Sequence, residues 1–294
     1  MNSFSAQWLD LREPPDAAAR AAGLYTGLVE ELALRQRRSC VAIVDLGAGT
    51  GANLRYAAPR LGGAQEWLLV DSDPLLLGGV EDRMRSWRHA PSITAAGETL
   101  ILRGGAQFDC RVQRLALDLA TQLPQLPLPD NVLLTASALL DLVSEEWLRA
   151  LSRRAAQAAA TVWFALTYDG NIDCLPQEPG DAEIRELMNV HQRRDKGFGI
   201  ALGPQAGAMA EQLFAEQGYR IHSAPSVWQL GPQHAAVQHA LVAGWCAAAC
   251  DIAPHRVAAL TGWLVRRRAH IDAARSRLRV GHVDMVGRPR NNGA

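Results

Sequence analysis

Asp45-Leu46-Gly47-Ala48-Gly49-Thr50-Gly51 is the stretch of this chain whose residue types and spacing come closest to chemistry. Glycines at these positions let the backbone turn tightly and approach a bound molecule with no Cβ in the way. A helix that starts behind such a turn presents free N–H groups and favours electron-rich atoms. Gly47, Gly49 and Ala52 also satisfy the GxGxxG/A fingerprint of dinucleotide sites. Two details argue against that use. Gly51 gives the spacing GxGxG, and Asp45 puts a carboxylate where it repels a pyrophosphate and suits a cationic amino group.

A second concentration of polar groups begins at Tyr168-Asp169-Gly170 and includes His191-Gln192-Arg193-Arg194-Asp195-Lys196-Gly197-Phe198-Gly199. Long irregular connections inside a compact domain are commonly functional. Histidine titrates near neutral pH, so His191 suits proton transfer, with Tyr168 and Asp169 as competing bases. Arg193 and Lys196, the only lysine in the chain, suit a carboxylate or phosphate on a substrate. The alternative is a solvated connection whose charges pair with one another. Asp141 is a further candidate for substrate binding, or equally a cap of the helix after it. Trp8 to Arg20 either folds over the site, with Arg12 and Arg20 facing substrate, or is a plain packing helix.

The elements that must position these groups alternate between strand and helix. Val41–Leu46, Trp67–Asp71, Gln107–Leu117, Asn131–Thr135 and Thr161–Thr167 read as strands, mostly short, apolar and β-branched. Helices are expected at Asp16–Arg38 (with Pro14 and Pro15 as its start signal), Ala52–Leu61, Asp73–Trp87, Ser144–Ala159, Asp181–Gln192 and Gln205–Gln217. A hairpin should lead into the Gln107 strand, irregular sequence should fill most of Tyr168–Pro204, and Tyr219–Leu230 should contain a sixth strand. Pro232–Arg277 reads as helical, broken near Pro254, and Leu278–Val286 as a final strand. Such alternation means a mainly parallel sheet with helices on both faces.

VAIV followed by DLGAGTG resembles the S-adenosylmethionine (SAM) motif of class I methyltransferases. Further motifs resemble that family in its own order, over roughly residues 40–230 and the last strand. The resemblance implies an α/β fold: a doubly wound, seven-stranded, mainly parallel sheet of the Rossmann-like methyltransferase type. The last strand would be antiparallel and a helical insertion would fall at about 232–277. Residues 1–39 would form an N-terminal helical segment and 40–294 the methyltransferase domain. The implied cofactor is SAM, with Gly47, Ala48, Gly49 and Gly51 along it and Asp45 at its amino group. Asp71, twenty positions after Gly51, and Ser72 would meet the ribose. Asp118 and Leu119 would meet the adenine, and Thr135 and Ser137 would run beside the cofactor. Asp71 could otherwise only cap a helix, but Asp73 already fits that role.

Composition narrows the partners. Thirty basic residues balance thirty acidic ones, whereas proteins that track phosphate backbones usually carry a basic excess. The Asn/Asp-Pro-Pro-Tyr/Phe motif of amino-methylating nucleic-acid enzymes is replaced by Thr135 to Leu140. Five cysteines without a CxxC pair make a poor zinc site and suit a reducing compartment. The apolar stretch Ala240–Ala249 is too short to span a bilayer, and no secretory signal opens the sequence. The expectation is a metal-free enzyme in the cytoplasm, monomer or homodimer, that methylates O or N of a small polar molecule. It would bind neither nucleic acid nor membrane. The competing readings are a non-catalytic methyltransferase-like module acting through its helical insertion, and a dinucleotide-dependent oxidoreductase, disfavoured by Asp45.

Overall fold

The computed structural model describes residues 5–24, 26–28, 40–89 and 92–290. Its central sheet is built from β1 (Val41–Leu46), β2 (Gly63–Asp71), β5 (Phe108–Ala116), β6 (Leu133–Ser137) and β7 (Thr161–Leu175), all parallel. A hairpin, β3 (Ser92–Ala96) and β4 (Thr99–Arg103), extends one edge antiparallel to β5. At the other edge β10 (Arg277–Pro289) runs antiparallel between β7 and β8 (Tyr219–Pro225), and β9 (Trp228–Leu230) pairs with the start of β10. The order is β3-β4-β5-β2-β1-β6-β7-β10-β8. Seven of these strands are the expected sheet with its antiparallel last strand. The β3–β4 hairpin and β9 enlarge it to ten.

Nine of the described helices matter here: α1 (Ala6–Ala19), α2 (Ala52–Leu61), α3 (Pro74–Gly78), α4 (Val80–Arg85), α5 (Leu119–Gln122), α6 (Glu145–Gln157), α7 (Asp181–Gln192), α8 (Ala206–Glu216) and α9 (Ala235–Ile252). A tenth, α10 (Val257–Asp272), forms a hairpin with α9 across Pro254. Each face of the sheet carries an apolar layer. One gathers Val44, Leu134, Leu148 and Phe214, the other Ile43, Leu54, Trp67 and Val112. Alternate residues of β1 thus point to opposite layers, as the two-residue period of a strand requires. A third layer, including Trp228, Trp245 and Trp263, lies under the α9–α10 hairpin. Arg267 is buried there and its guanidinium donates to both oxygens of Asp181, fastening α10 to the start of α7.

Three expectations need correction. Pro14 and Pro15 do not start a helix but lie inside α1, whose N-cap is Ser5, with Oγ accepting the Trp8 N–H. Arg12 and Asp16 pair across the prolines, which themselves lack the N–H groups to bond back. The C-terminal part of the expected Asp16–Arg38 helix lies outside the described residues. Residues 168–175 are not loop: β7 continues through them because β10 offers a partner, pairing His282 with Tyr168 and Leu278 with Cys174. The apolar stretch near residue 240 belongs to a longer helix. Pro232–Ile252 is long and apolar enough to cross a membrane by length and composition, and part of its apolar stretch is buried inside the fold.

From β1 the chain moves through β2 to β5 on one side, then returns to β6 on the other. In open α/β sheets a crevice forms beyond the carboxyl ends of the strands where the order reverses. The glycine-rich turn sits there, directly after β1.

Candidate functional site

Gly47, Gly49 and Gly51 have φ of 62°, 53° and 80°, a region that L side chains rarely adopt, so the turn depends on its glycines. Hydrogen bonds fix its shape: Ala48 N–H donates to Val70 O at 3.0 Å and Gly51 N–H to Ala48 O at 2.8 Å. Gly49 N–H donates to Asp71 Oδ2 at 2.8 Å. The other Asp71 oxygen accepts the Asp73 N–H at 2.9 Å, and Asp73 in turn caps α3 through Leu75 N–H. Burial raises the Asp71 carboxyl pKa above the usual range, against the pull of these hydrogen bonds.

Around this turn lies a cavity of about 630 Å³. Its walls include Gly47 to Thr50, Asp71, Ser72, Asp118, Leu119 and Ser137. Another wall is formed by Leu9, Arg12, Glu13, Asp16 and Ala17 of helix α1 and by Arg20, which follows it. Leu9 presses so close to the turn that a Cβ on Gly49 would stand 2.9 Å from its Cδ1. Two ion pairs hold α1 in place: Glu13 accepts from Arg55 Nε at 2.8 Å, and Asp10 from Arg83 Nε at 2.7 Å.

Beneath the cavity runs a buried polar chain. Asn53 Nδ2 donates to Asp45 Oδ1 at 2.8 Å and to Thr135 Oγ1 at 3.1 Å. Asn53 Oδ1 accepts from Arg20 Nη2 at 2.9 Å, and the same nitrogen donates to Ser137 Oγ at 3.1 Å. The Arg20 guanidinium packs on Tyr56, 4.7 Å from its ring centre. Burial pushes the Asp45 carboxyl up to about 7, while Asn53 and Arg20 pull the other way. Thr135 is a correction. It is fully buried and its hydroxyl donates to Trp163 O at 2.7 Å, so it braces the sheet rather than facing the cavity. Asp45 likewise lies behind the cavity wall, reaching it through Asn53.

The polar connection after β7 reaches the cavity only through Lys196 and Phe198. His191, Tyr168, Asp169 and Arg193 are not on its wall. His191 sits in the last turn of α7 with Nδ1 3.2 Å from Lys196 Nζ, and burial together with Lys196 and Arg194 lowers its pKa. Tyr168 Oη donates to Asn189 Oδ1 at 2.8 Å, and burial pushes its phenol well above the ordinary value, which unsuits it as a base near neutral pH. Asp169 accepts the Asn171 N–H and crowds Gly281 on β10. Arg193 packs its stem against Gly203. Arg194 is held by Asp251.

Asp141, just beyond β6, is buried beside the cavity-lining Leu139 and Leu142. One of its oxygens, Oδ1, has no hydrogen-bond partner. Burial raises its carboxyl to about 6, opposed by the charges of Arg12 and Lys196. Ser144, not Asp141, caps α6, with Oγ accepting the Trp147 N–H at 3.3 Å. Arg12 lies over the ring of Trp228, which packs 5.3 Å from His282. Burial and then Arg12 lower the His282 pKa to about 3, and its Nδ1 has no partner. Nothing local in the sequence marks Asn53, His282 or Trp228. His282 and Trp228 come together only when β10 inserts between β7 and β8.

The decisive observation is the chain path: a glycine turn after a central β1, an acidic residue closing β2, and an antiparallel β10 inserted beside β7. The fold is that of the class I methyltransferases. No family model matches the sequence. No curated protein matches it either. Among solved structures it is similar to the cyclopropane synthase MmaA2 of Mycobacterium tuberculosis (12% identity, 88% of this chain and 84% of that one, TM-score 0.43). It is also similar to an arsenic(III) SAM methyltransferase of Chlamydomonas reinhardtii (13%, 86% and 64%, TM-score 0.40). A third is phosphoethanolamine N-methyltransferase 2 of Haemonchus contortus, in complex with SAM (11%, 90% and 53%, TM-score 0.36). Strand order within the chain, not these distant likenesses, defines the methyltransferase fold. In that fold Asp118 lines the cavity while also capping α5, with Oδ1 accepting Ala120 N–H at 3.0 Å and Oδ2 the Thr121 hydroxyl. Leu119, beside it, also lines the cavity and accepts the Trp147 indole N–H through its carbonyl.

Proposed function

We propose that the chain is a SAM-dependent methyltransferase acting on an oxygen or nitrogen atom of a small, polar molecule. The observation that carries this reading is one cavity lined both by the glycine turn and Asp71 and by Lys196 and Arg12. The residues fit such a cofactor. Asp71 is half-buried on the wall, where it would accept ribose hydroxyls, and Asp118, Leu119 and Ser72 line the part suited to the nucleoside. Arg20 on the wall, and Asp45 behind it through Asn53, would stand toward the cofactor's amino-acid end. Gly47 to Gly51 would lie along it.

Bound SAM supplies a methyl carbon already activated by a sulfonium, so the chain contributes mainly position and alignment. Lys196 and Arg12 would orient an anionic group of the acceptor. Asp141 is also off the cavity wall, but it lies in the chain between the wall residues Leu139 and Leu142, and it rather than His191, Tyr168 or Asp169 would take the acceptor's proton. Its raised carboxyl pKa makes it more basic than an ordinary carboxylate, and one oxygen is free. Thr135, although expected beside the cofactor, would act from behind the wall.

Incubation with methyl-labelled SAM and a metabolite collection tests the proposal. Label transferred to a hydroxyl- or amine-bearing acceptor, with release of S-adenosylhomocysteine, is the expected result. Binding of SAM without transfer to any acceptor would favour a non-catalytic module working through a partner.

A further inference from the structure

A second cavity, of about 820 Å³, lies where β7, β9 and β10 meet the start of α7, and it shares no wall residue with the first. Three arginines line it: Arg185 from α7, and Arg277 and Arg279 from the start of β10. Arg277 and Arg279 are two apart on a strand. Both therefore leave the face opposite the buried Leu278, from Cα atoms about 7 Å apart. None of the three makes a hydrogen bond or ion pair with a described residue. Elsewhere arginines of this chain meet carboxylates, as in Arg83–Asp10, Arg149–Glu145 and Arg256–Glu183. Acidic groups on this wall are spent on other cations, Glu178 on Arg266 and His270, and Asp181 on Arg267. Asp173 stands opposite Arg279 in the β7–β10 register and still forms no ion pair with it. Three like charges are thus gathered without a counter-ion, and they repel one another until an anion joins them.

We propose that this cavity is a second binding site, for a phosphate group that is either free or carried by a small molecule. Arginine suits phosphate because its planar fork gives two N–H donors to two oxygens at once. Three such forks on one wall supply the positive charge that a doubly charged phosphate needs. Gln229, beside Arg279 in the β9–β10 register, adds an amide donor to the same wall. Leu175, beside Arg277 in the β7–β10 register and 53% exposed, offers apolar surface to an organic part of the ligand. A cavity of this size takes a small molecule, whereas a nucleic acid needs an extended basic track that this evenly charged chain lacks. The site goes beyond the methyltransferase reading and stands whether or not the first cavity takes SAM.

Calorimetric titration of the full chain with inorganic phosphate and with phenyl phosphate, at physiological ionic strength, tests the proposal. Wild type should bind both saturably, one per chain, and saturating S-adenosylhomocysteine should leave both affinities within about twofold. Phenyl phosphate binding more tightly would assign an organic phosphate that uses Leu175, and equal affinities a free phosphate; either supports the site. The pair Arg277→Gln with Arg279→Gln, and Arg185→Gln alone, should each weaken phosphate by at least about tenfold. Arg275→Gln removes a nearby charge from outside the cavity wall and should leave affinity within about threefold. An unchanged Tm in each variant reports that it is folded. Amide exchange should slow at the starts of α7 and β10 when phosphate binds. Absence of saturable binding to either probe overturns the proposal. Loss in Arg275→Gln as large as in the pair would mean diffuse surface charge, and displacement by S-adenosylhomocysteine would place the anion in the first cavity; each overturns it too. Failure of S-adenosylhomocysteine itself to bind would remove the SAM reading and leave this site untouched.

Discussion

Asp71 accepts the Gly49 amide hydrogen at 2.8 Å, so the carboxylate that closes β2 also holds the shape of the turn that follows β1. Ligand binding and local structure are therefore coupled at this residue. Asp71→Ala should weaken SAM at least about tenfold and cost about 1–3 kcal/mol of stability, because Gly49 and Asp73 lose their acceptor. Asp71→Asn, which keeps an acceptor oxygen, should recover much of the stability and less of the affinity. Calorimetric titration and urea unfolding measure the two effects separately. Unchanged SAM affinity in Asp71→Ala would remove the ribose assignment.

Gly49 and Leu9 form the contact by which α1 rests on the turn. Gly49→Ala places a Cβ 2.9 Å from Leu9 Cδ1 at a residue whose φ is +53°. The backbone strain alone should cost about 1–2 kcal/mol. Adding Leu9→Ala relieves the steric part, so the pair should be less damaging than the sum of the single changes. Thermal unfolding of the four proteins tests this, and strict additivity would mean that α1 does not bear on the turn.

Asp141 and His191 separate two accounts of proton transfer. With an acceptor in hand, Asp141→Asn should lower kcat by about a hundredfold and leave SAM affinity unchanged. His191→Ala should change turnover only a few-fold, because its ring nitrogens face Lys196 and Asp251. The reverse ranking would return the base to the position expected from sequence.

The contrast between these residues shows how far the sequence was legible. VAIVDLGAGTG and the Asp73-Pro74 cap are local signals, and the strand and helix start they announce are present. The direction in which a side chain leaves an element is not local. Tyr168 and Asp169 looked like loop residues because nothing nearby says that β10 will extend β7 past them. His282 carries no motif, yet inserting β10 between β7 and β8 brings it against Trp228 and Tyr168. The start of α1 was misplaced because a proline pair usually opens a helix, whereas here Ser5 caps it earlier and the prolines are carried within.

Stability should depend on pH through Asp45. Its carboxyl is raised from 3.8 to about 7, so the folded chain keeps a proton that the unfolded chain releases between those values. The stability this group contributes is therefore lost as pH rises from about 4 to about 7, with a limiting slope near 1.4 kcal/mol per pH unit. His282 acts in the opposite sense. Its folded pKa lies near 3 against 6.5 unfolded, so its contribution is lost as pH falls below about 6.5. The two slopes oppose each other between about pH 4 and 6.5, so Asp45→Asn should make stability rise more steeply with pH there, by up to about 1.4 kcal/mol per unit relative to wild type. Urea unfolding across this range checks it, and an unaltered slope would mean that Asp45 ionises normally.

Calorimetric titration of the purified protein with SAM and S-adenosylhomocysteine tests the central claim most directly. Saturable one-to-one binding of both, abolished or strongly weakened by Asp71→Ala, is the predicted result. Absence of heat with either ligand, from protein shown to be folded, would contradict the account and leave a methyltransferase fold put to another use.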